Sequence, residues 1–204
     1  MKFPFTKKCE TLVSDALKNN KIIVFPTETL YGLGGNAFSK SVVEKIYKIK
    51  KRSSEKSLIL LINLEWLNSI TTFNDSRVAD LIEKFWPGPL TLILKANKLL
   101  PDHLKNDTGT VAVRYTSSSV AQRLIELGNC PVIGTSANLS GFSPCSSLKE
   151  VKTQLKNRVD FYVDGGVISK NRPSTIVNCL NTDFKVLRHG AISLKALNRV
   201  CKVI

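Results

Sequence analysis

The sequence predicts a single α/β domain built on a twisted, mostly mixed β-sheet with flanking helices. Short apolar runs rich in β-branched residues alternate with segments whose apolar side chains recur at helical spacing. No linker and no internal repeat interrupts the 204 residues. A chain of that length can bury one sizeable core. Strands alternating with helices suit a sheet whose faces are covered by packed helices.

The elements follow in order. Residues 9 to 17 place Cys9, Leu12, Val13, Ala16 and Leu17 on one helical face. KIIVF (21–25) reads as a buried strand. Ser41 and Glu44 make an S-x-x-E capping box, ahead of a helix whose apolar stripe is Val42, Val43, Ile46 and Ile49. SLILLI (57–62) is a strand by its flanks and β-branching. DSRVADLIEKFW (75–86) is helical and stops at Pro87-Gly88-Pro89. LTLILK (90–95), TVAVRY (110–115) and CPVIGTS (130–136) are further strands. The helix SVAQRLIELG (119–128) separates the last two and ends on Gly128 as a C-cap. A helix around 147–156, strands near 159–163, 174–180 and 184–188, and a final helix from about 192 complete the pattern.

Composition narrows the function classes. No apolar run approaches the roughly 18 to 20 residues that cross a bilayer, and the N-terminus lacks the apolar core of a signal peptide. The five cysteines (9, 130, 145, 179 and 201) are odd in number and form no C-x-x-C pair. They read as reduced thiols of a cytoplasmic protein. His103 and His189 are the only histidines and lie far from any cysteine pair, which argues against a zinc cluster or a Cys-His catalytic pair. Thirty Lys+Arg against 16 Asp+Glu give a formal charge of +14. Such an excess favours phosphate-rich partners, nucleic acid or nucleotide, although a lysine-rich proteome gives the same balance.

The densest local signal is FPTETLYGLGGNAF (25–38). Gly32-x-Gly34-x-x-Ala37 matches the dinucleotide fingerprint as a string, but not in context. A dinucleotide turn follows its strand at once, whereas here PTETLY intervenes, the helix starts only near Ser41, and SLILLI lacks a terminal acid for a ribose. A plain glycine turn does not explain Thr27, Thr29 and Tyr31, polar groups bunched at the carboxyl end of an early strand where ligands of α/β sheets bind. KIKKRSSEKS (48–57) holds Lys48, Lys50, Lys51, Arg52 and Lys56; alone, it reads as a solvated basic helix end favoured by the helix dipole. GTSANLSGFSPCSS (134–147) carries Ser136, Asn138, Ser140, Ser143, Ser146 and Ser147, and alone it reads as a polar turn.

Their order is more specific than any one of them. Pro26-Thr27-Glu28-Thr29-x-Tyr31-Gly32-Leu33-Gly34, the K-x-R of Lys50 and Arg52, and Trp86-Pro87-Gly88-Pro89-x-Thr91 come first. Val111-Ala112-Val113-Arg114, the S-x-N of Ser136 and Asn138, Ser174-Thr175-Ile176-Val177, and Arg188-x-Gly190 follow. Over residues 8 to 200 the chain resembles the YrdC-like family, the threonylcarbamoyl-AMP synthases that supply tRNA modification. The resemblance implies one YrdC-like domain of the short bacterial type, with a concave, positively charged cleft and no second C-terminal domain. It implies a nucleotidyl transfer that joins L-threonine, bicarbonate and ATP into L-threonylcarbamoyladenylate and diphosphate.

By the same resemblance, Lys50, Arg52, Ser136 and Asn138 form the catalytic tetrad. Thr29, Lys56 and Ser174 face threonine, and Arg52, Arg114, Asn138, Ser146 and Arg188 face ATP. Three anionic partners must meet in such a reaction, so the site needs fixed cations, and guanidinium forks match carboxylate and phosphate oxygens. Mg2+ would arrive with ATP, held by phosphates and water rather than by a protein cage. The implied partners are tRNA or double-stranded RNA and other proteins of the threonylcarbamoylation pathway, with no membrane. The chain departs from the family where Ser53 and Ser57 replace prolines that would stiffen the loop. The rival readings are a non-catalytic RNA-binding module of the same fold and a paralogue with a different acyl or carbamoyl substrate. Diffuse charge would suffice for the first, whereas the K-x-R and S-x-N sets are specific.

Overall fold

A computed structural model of the chain describes residues 1, 4–53, 57–169 and 172–204. The first helix, α1 (Lys7–Lys18), starts where the Thr6 hydroxyl accepts the Cys9 amide. It buries Val13, Ala16 and Leu17, while Leu12 is 42% exposed, so the apolar face is narrower than the periodicity predicts. Strands β1 (Ile23–Pro26) and β2 (Tyr31–Gly34) form an antiparallel hairpin with Ile23 opposite Gly34 and Pro26 opposite Tyr31. The glycine-rich stretch is therefore a strand, not the loop the sequence suggests.

Helix α2 (Lys40–Lys50) buries the predicted stripe of Val42, Val43, Ile46 and Ile49. The Ser41–Glu44 capping box does not form. Ser39 takes the N-cap position, which puts Ser41 and Glu44 two residues too far into the helix to reciprocate. Glu44 pairs instead with Lys40 at 3.9 Å in solvent. Lys51, in the left-handed region at φ 51, ends the helix.

Strand β3 (Ile59–Leu61) is followed by α3 (Leu64–Ile70) and β4 (Thr71–Thr72), neither of which the periodicity revealed. Helix α4 (Ser76–Phe85) is capped by Asp75 and leads to β5 (Leu90–Ala96) and β6 (Thr110–Arg114). Helix α5 (Ser119–Gly128) is capped at its start by Ser118; its C-cap is Asn129 at φ 43, not Gly128. Asparagine tolerates that left-handed geometry, and Gly128 serves packing, since a Cβ there would lie 2.9 Å from Leu17 Cδ1. CPVIGTS is two strands, β7 (Val132–Ile133) and β8 (Thr135–Ser136). Then come α6 (Leu148–Leu155), β9 (Phe161–Tyr162), β10 (Thr175–Asn178), β11 (Lys185–Arg188) and the single turn of α7 (Leu194–Leu197).

The mixed α/β class is as the sequence predicts, with the strands divided between two sheets. One has the order β8-β2-β1-β9; the other has β11-β10-β5-β6-β3-β7, with β4 also on β5. Both mix parallel and antiparallel pairs. One apolar cluster, centred on α1 and α5, packs Val13, Leu17, Phe25, Leu124 and Ile125; the larger one fills the space around the long sheet. Among the described residues no helix is long and apolar enough to cross a membrane.

The two sheets meet where β2 passes β7. The Ile133 amide donates to the Gly35 carbonyl at 3.0 Å. A Cβ on Gly34 would sit 1.7 Å from the Ile133 carbonyl oxygen, and one on Gly32 would sit 2.9 Å from the edge of the Phe25 ring. A backbone carbonyl cannot yield without moving the strand, whereas a ring can tilt. Gly34→Ala is therefore expected to destabilise by about 3 kcal/mol or more, and Gly32→Ala by roughly 1 kcal/mol. Urea unfolding of both variants checks this; equal losses would show that the Gly34 contact does not constrain the junction.

Candidate active site

A cleft of about 180 Å3 opens between the sheets. Its wall takes Thr27, Thr29, Tyr31 and Gly32 from the β1–β2 hairpin and Ser136 from β8. Arg114 closes β6 and Arg188 closes β11, and both point into it with Arg52 and Ser174.

Arg114 is only 5% exposed. Its Nε donates to the Gly88 carbonyl at 3.1 Å, and Nη1 and Nη2 donate to Thr29 Oγ1 at 3.2 and 3.3 Å. Nη2 also pairs with Glu28 Oε1 at 2.7 Å. The hydroxyl protons in this cluster have one consistent arrangement. Thr27 Oγ1 donates to the Leu30 carbonyl and accepts the amides of Thr29 and Leu30. The 2.8 Å contact between the two threonine hydroxyls is thus a donation from Thr29 to Thr27. Thr29 keeps its lone pairs for Arg114.

Glu28 sits behind this arginine. Thr116 Oγ1 donates to its Oε2, and the Ser117 amide donates to Oε1 at 3.1 Å. Burial alone would raise the Glu28 carboxyl, but the Arg114 charge and the hydrogen bonds from Thr116, Arg114 and Ser117 outweigh it and hold the group below the usual carboxylate range.

On the opposite wall, Arg188 Nε donates to the Ser174 carbonyl at 2.9 Å and Nη2 to Ser174 Oγ at 2.8 Å. That hydroxyl also meets Thr91 Oγ1 at 2.8 Å, and both residues are buried. Arg188 is held below the usual arginine value, first by burial and then by the charges of Arg114 and Arg52. Three guanidinium groups thus converge on one cleft. Arg52 Nη2 donates to the Ser57 carbonyl at 2.9 Å, and its buried Nε meets no acceptor among the described residues.

Lys50 does not reach the cleft surface. It is 2% exposed, and its Nζ donates to the carbonyls of Ser136 and Asn138 and, at 3.2 Å, to Asn138 Oδ1. Asn138 Oδ1 also accepts Ser136 Oγ at 2.6 Å, while its Nδ2 donates to the carbonyls of Leu139 and Phe142. Every polar atom of the Asn138 side chain is engaged inside the protein. Of the four tetrad positions, Arg52 and Ser136 face the cleft; Lys50 and Asn138 hold Ser136 from behind.

Ser146 lies elsewhere: its hydroxyl turns to the Glu150 carboxylate at 3.2 Å, and it is not on the cleft wall. Lys56 lies outside the described residues. Sequence reasoning placed Thr27 among the polar groups at the ligand end of an early strand, and assigned no role to Glu28 or Thr91. The P-T-E-T run and the Thr91 that follows Pro89 were the available signals, but what they hold became visible only when distant strands met.

For a divalent metal the donor set is poor. Glu28 has both oxygens occupied, and among the described residues no cluster of three or more His, Cys, Asp or Glu side chains forms a cage.

A mixed α/β domain with three arginines lining a cleft between two sheets presents a positively charged site of the kind that suits anions. The Sua5/YciO/YrdC family, described as "Telomere recombination", matches residues 15–190. The chain belongs to that family. It is 32% identical over 185 residues to the threonylcarbamoyl-AMP synthase of Pyrococcus abyssi, covering 90% of this chain and 54% of that protein. It is 36% identical over 187 residues to that of Bacillus subtilis, covering 90% and 54%. With the Pseudoalteromonas translucida protein of the same name it shares 34% identity over 170 residues, covering 81% of this chain and 90% of the relative. The chain thus spans about half the length of the first two relatives and most of the third. Among solved structures, P. abyssi Sua5 complexed with L-threonine superimposes with a TM-score of 0.93 at 28% identity, over 100% of this chain and 61% of that one. E. coli YciO gives 0.85 at 25% identity, over 94% of each.

Lys50 generates a testable pH dependence. Burial pushes its ammonium down to about 8 from the ordinary 10.5, helped by the Arg52 charge and opposed by Cys145. Between those two values the unfolded chain holds more protons than the folded one, so stability rises with pH. Below about 8 the charged, desolvated form costs the fold its full amount, roughly 3 kcal/mol. The difference in unfolding free energy between wild type and Lys50→Met should shift in favour of wild type by up to that amount from pH 8 to 10.5. Denaturant titrations across the window measure it; a difference flat with pH would mean that Lys50 titrates as an ordinary lysine.

Proposed function

We propose that this chain is an L-threonylcarbamoyladenylate synthase, a nucleotidyltransferase that joins L-threonine, bicarbonate and ATP. The observation that carries the reading is the convergence of Arg52, Arg114 and Arg188 on one cleft, with Glu28 paired to Arg114. Their net charge suits a site where a carboxylate, a carbamate and a triphosphate must lie side by side. The threonine bound to the related P. abyssi structure and the names of the relatives support the same choice of substrate.

The threonine amine adds to bicarbonate, or to the carbon dioxide it yields, and gives a carbamate with loss of water. A carbamate oxygen then attacks the α-phosphorus of ATP, the bond to the β-phosphate bridge breaks, and diphosphate leaves. No covalent enzyme intermediate is needed; fixed position and charge stabilisation supply the rate. Arg52 and Arg188 offer planar forks to oxygen pairs. Arg114 presents its one remaining N–H, on Nη1, from the hairpin side, and Ser174 fixes Arg188. Ser136 has its proton engaged by Asn138, so its oxygen faces the cleft as an acceptor, suited to the threonine amine or carbamate N–H. Mg2+ enters with ATP as part of the substrate. The product, a mixed anhydride, supplies the threonylcarbamoyl group of the modified adenosine at tRNA position 37.

Diphosphate release should require L-threonine and bicarbonate together with ATP, because the carbamate is the nucleophile. Equal release without threonine would overturn the assignment. Arg52→Lys keeps the charge but loses the fork, and kcat/KM should fall by roughly 30-fold to 1000-fold. Exposed Lys51, one residue away, should tolerate alanine with less than about threefold loss. Similar small losses at both positions would remove Arg52 from the site.

A further inference from the structure

We infer that Glu28 is a positioning residue for this transfer: it fixes the Arg114 guanidinium in one orientation without touching substrate itself. The inference rests on the proposed reaction, but its contacts are independent of it. Glu28 is not on the cleft wall. Arg114 has five N–H donors. Neutral acceptors, the Gly88 carbonyl and the Thr29 hydroxyl, take Nε and share Nη1 and Nη2. Among the described residues Glu28 is the one charged acceptor, at 2.7 Å.

The carboxylate is held in turn by Thr116 and Ser117, the chain that leaves β6 directly after Arg114. A closed ring results: the hairpin turn of one sheet grips the arginine at the end of a strand in the other, and the residues beyond that strand grip the turn. An arginine free of this ring would swing toward whichever phosphate or carboxylate lies nearest and would bind the ground state. Held by it, the group stays where charge develops in the transition state.

Charge and orientation make opposite demands, which gives the inference a distinctive signature. Glu28→Gln keeps the size and an acceptor oxygen but adds one net positive charge to the site. ATP affinity should hold or tighten by up to about fivefold, while kcat falls by about 10- to 100-fold. Glu28→Asp restores the charge with a shorter reach: ATP affinity returns to within about twofold of wild type and kcat lies between the two. Loss of folded protein would instead lower active-site concentration with unchanged KM.

The experiment measures ATP binding by calorimetry, kcat by diphosphate release, and the 1H–15N resonance of the Arg114 Nε–H, assigned by its loss in Arg114→Lys. That resonance should exchange slowly in wild type and rapidly in Glu28→Gln. A resonance still protected in Glu28→Gln, an unchanged kcat, or parallel losses of kcat and ATP affinity would each overturn the inference. Absence of threonine-dependent turnover in wild type would defeat the proposed reaction alone, because the resonance and the ATP affinity decide the positioning role without it.

Discussion

A guanidinium buried to one-twentieth exposure must find its acceptors inside the fold, and Arg114 finds them across the gap between two sheets. Leaving such a charge unpaired costs several kcal/mol, so the position of the β1–β2 turn is not free to drift. Gly88 and the adjacent pair Glu28 and Thr29 come from two distant stretches of chain and meet at Arg114 only when both sheets are formed. Gly34 permits the meeting at the other end of the hairpin, where a side chain of any size would collide with the Ile133 carbonyl. The cleft is the space left between these two points of closest approach.

Hydrogen-bond direction then divides the polar residues by role. Thr29 gives its proton to Thr27 and its lone pairs to Arg114, so the hydroxyl has little left for a ligand. Asn138 is saturated, and Lys50 spends its three protons on Ser136 and Asn138. These residues shape the site from within. A family motif alone does not distinguish a residue that holds substrate from one that holds the residue that does; the distinction needs distances.

Legibility in the sequence followed the range of the interactions. The helices read over 75–86, 119–128 and about 147–156 formed close to those bounds as α4, α5 and α6, because helical spacing is a local signal. The Ser41–Glu44 box and the Gly128 C-cap, by contrast, did not form. Strand β2 read as a loop because its two glycines, with Gly35 just beyond, carry no apolar alternation. Its strand character comes from pairing with β1 and β8. CPVIGTS read as one strand because nothing local marks Gly134 as the place where the chain passes from one sheet to the other. A Cβ there would strike Leu61, a contact no spacing rule contains. For the candidate site, motif order brought Arg52, Arg114, Ser136, Ser174 and Arg188 together on one list, and they share one cleft. The resemblance grouped Ser146 with them, but a local acceptor, Glu150, takes its hydroxyl. Glu28 lay in plain view without a role, since its partner is 86 positions away on another sheet.

Three like charges in one cleft repel, and Arg188 carries the mark of that repulsion. What holds them there without a ligand is a shared device. Each guanidinium donates to one backbone carbonyl: Arg52 to Ser57, Arg114 to Gly88 and Arg188 to Ser174. A carbonyl fixes direction without neutralising charge, so the groups stay oriented and stay positive. Among the described residues only Arg114 also takes a carboxylate, and it is the most deeply buried of the three, where an unpaired charge would cost most. Arg52 and Arg188, less buried, keep their charge for the ligand. The gradient of burial across the cleft thus sets which cation is neutralised by the fold and which are left to meet an anion that arrives from solvent.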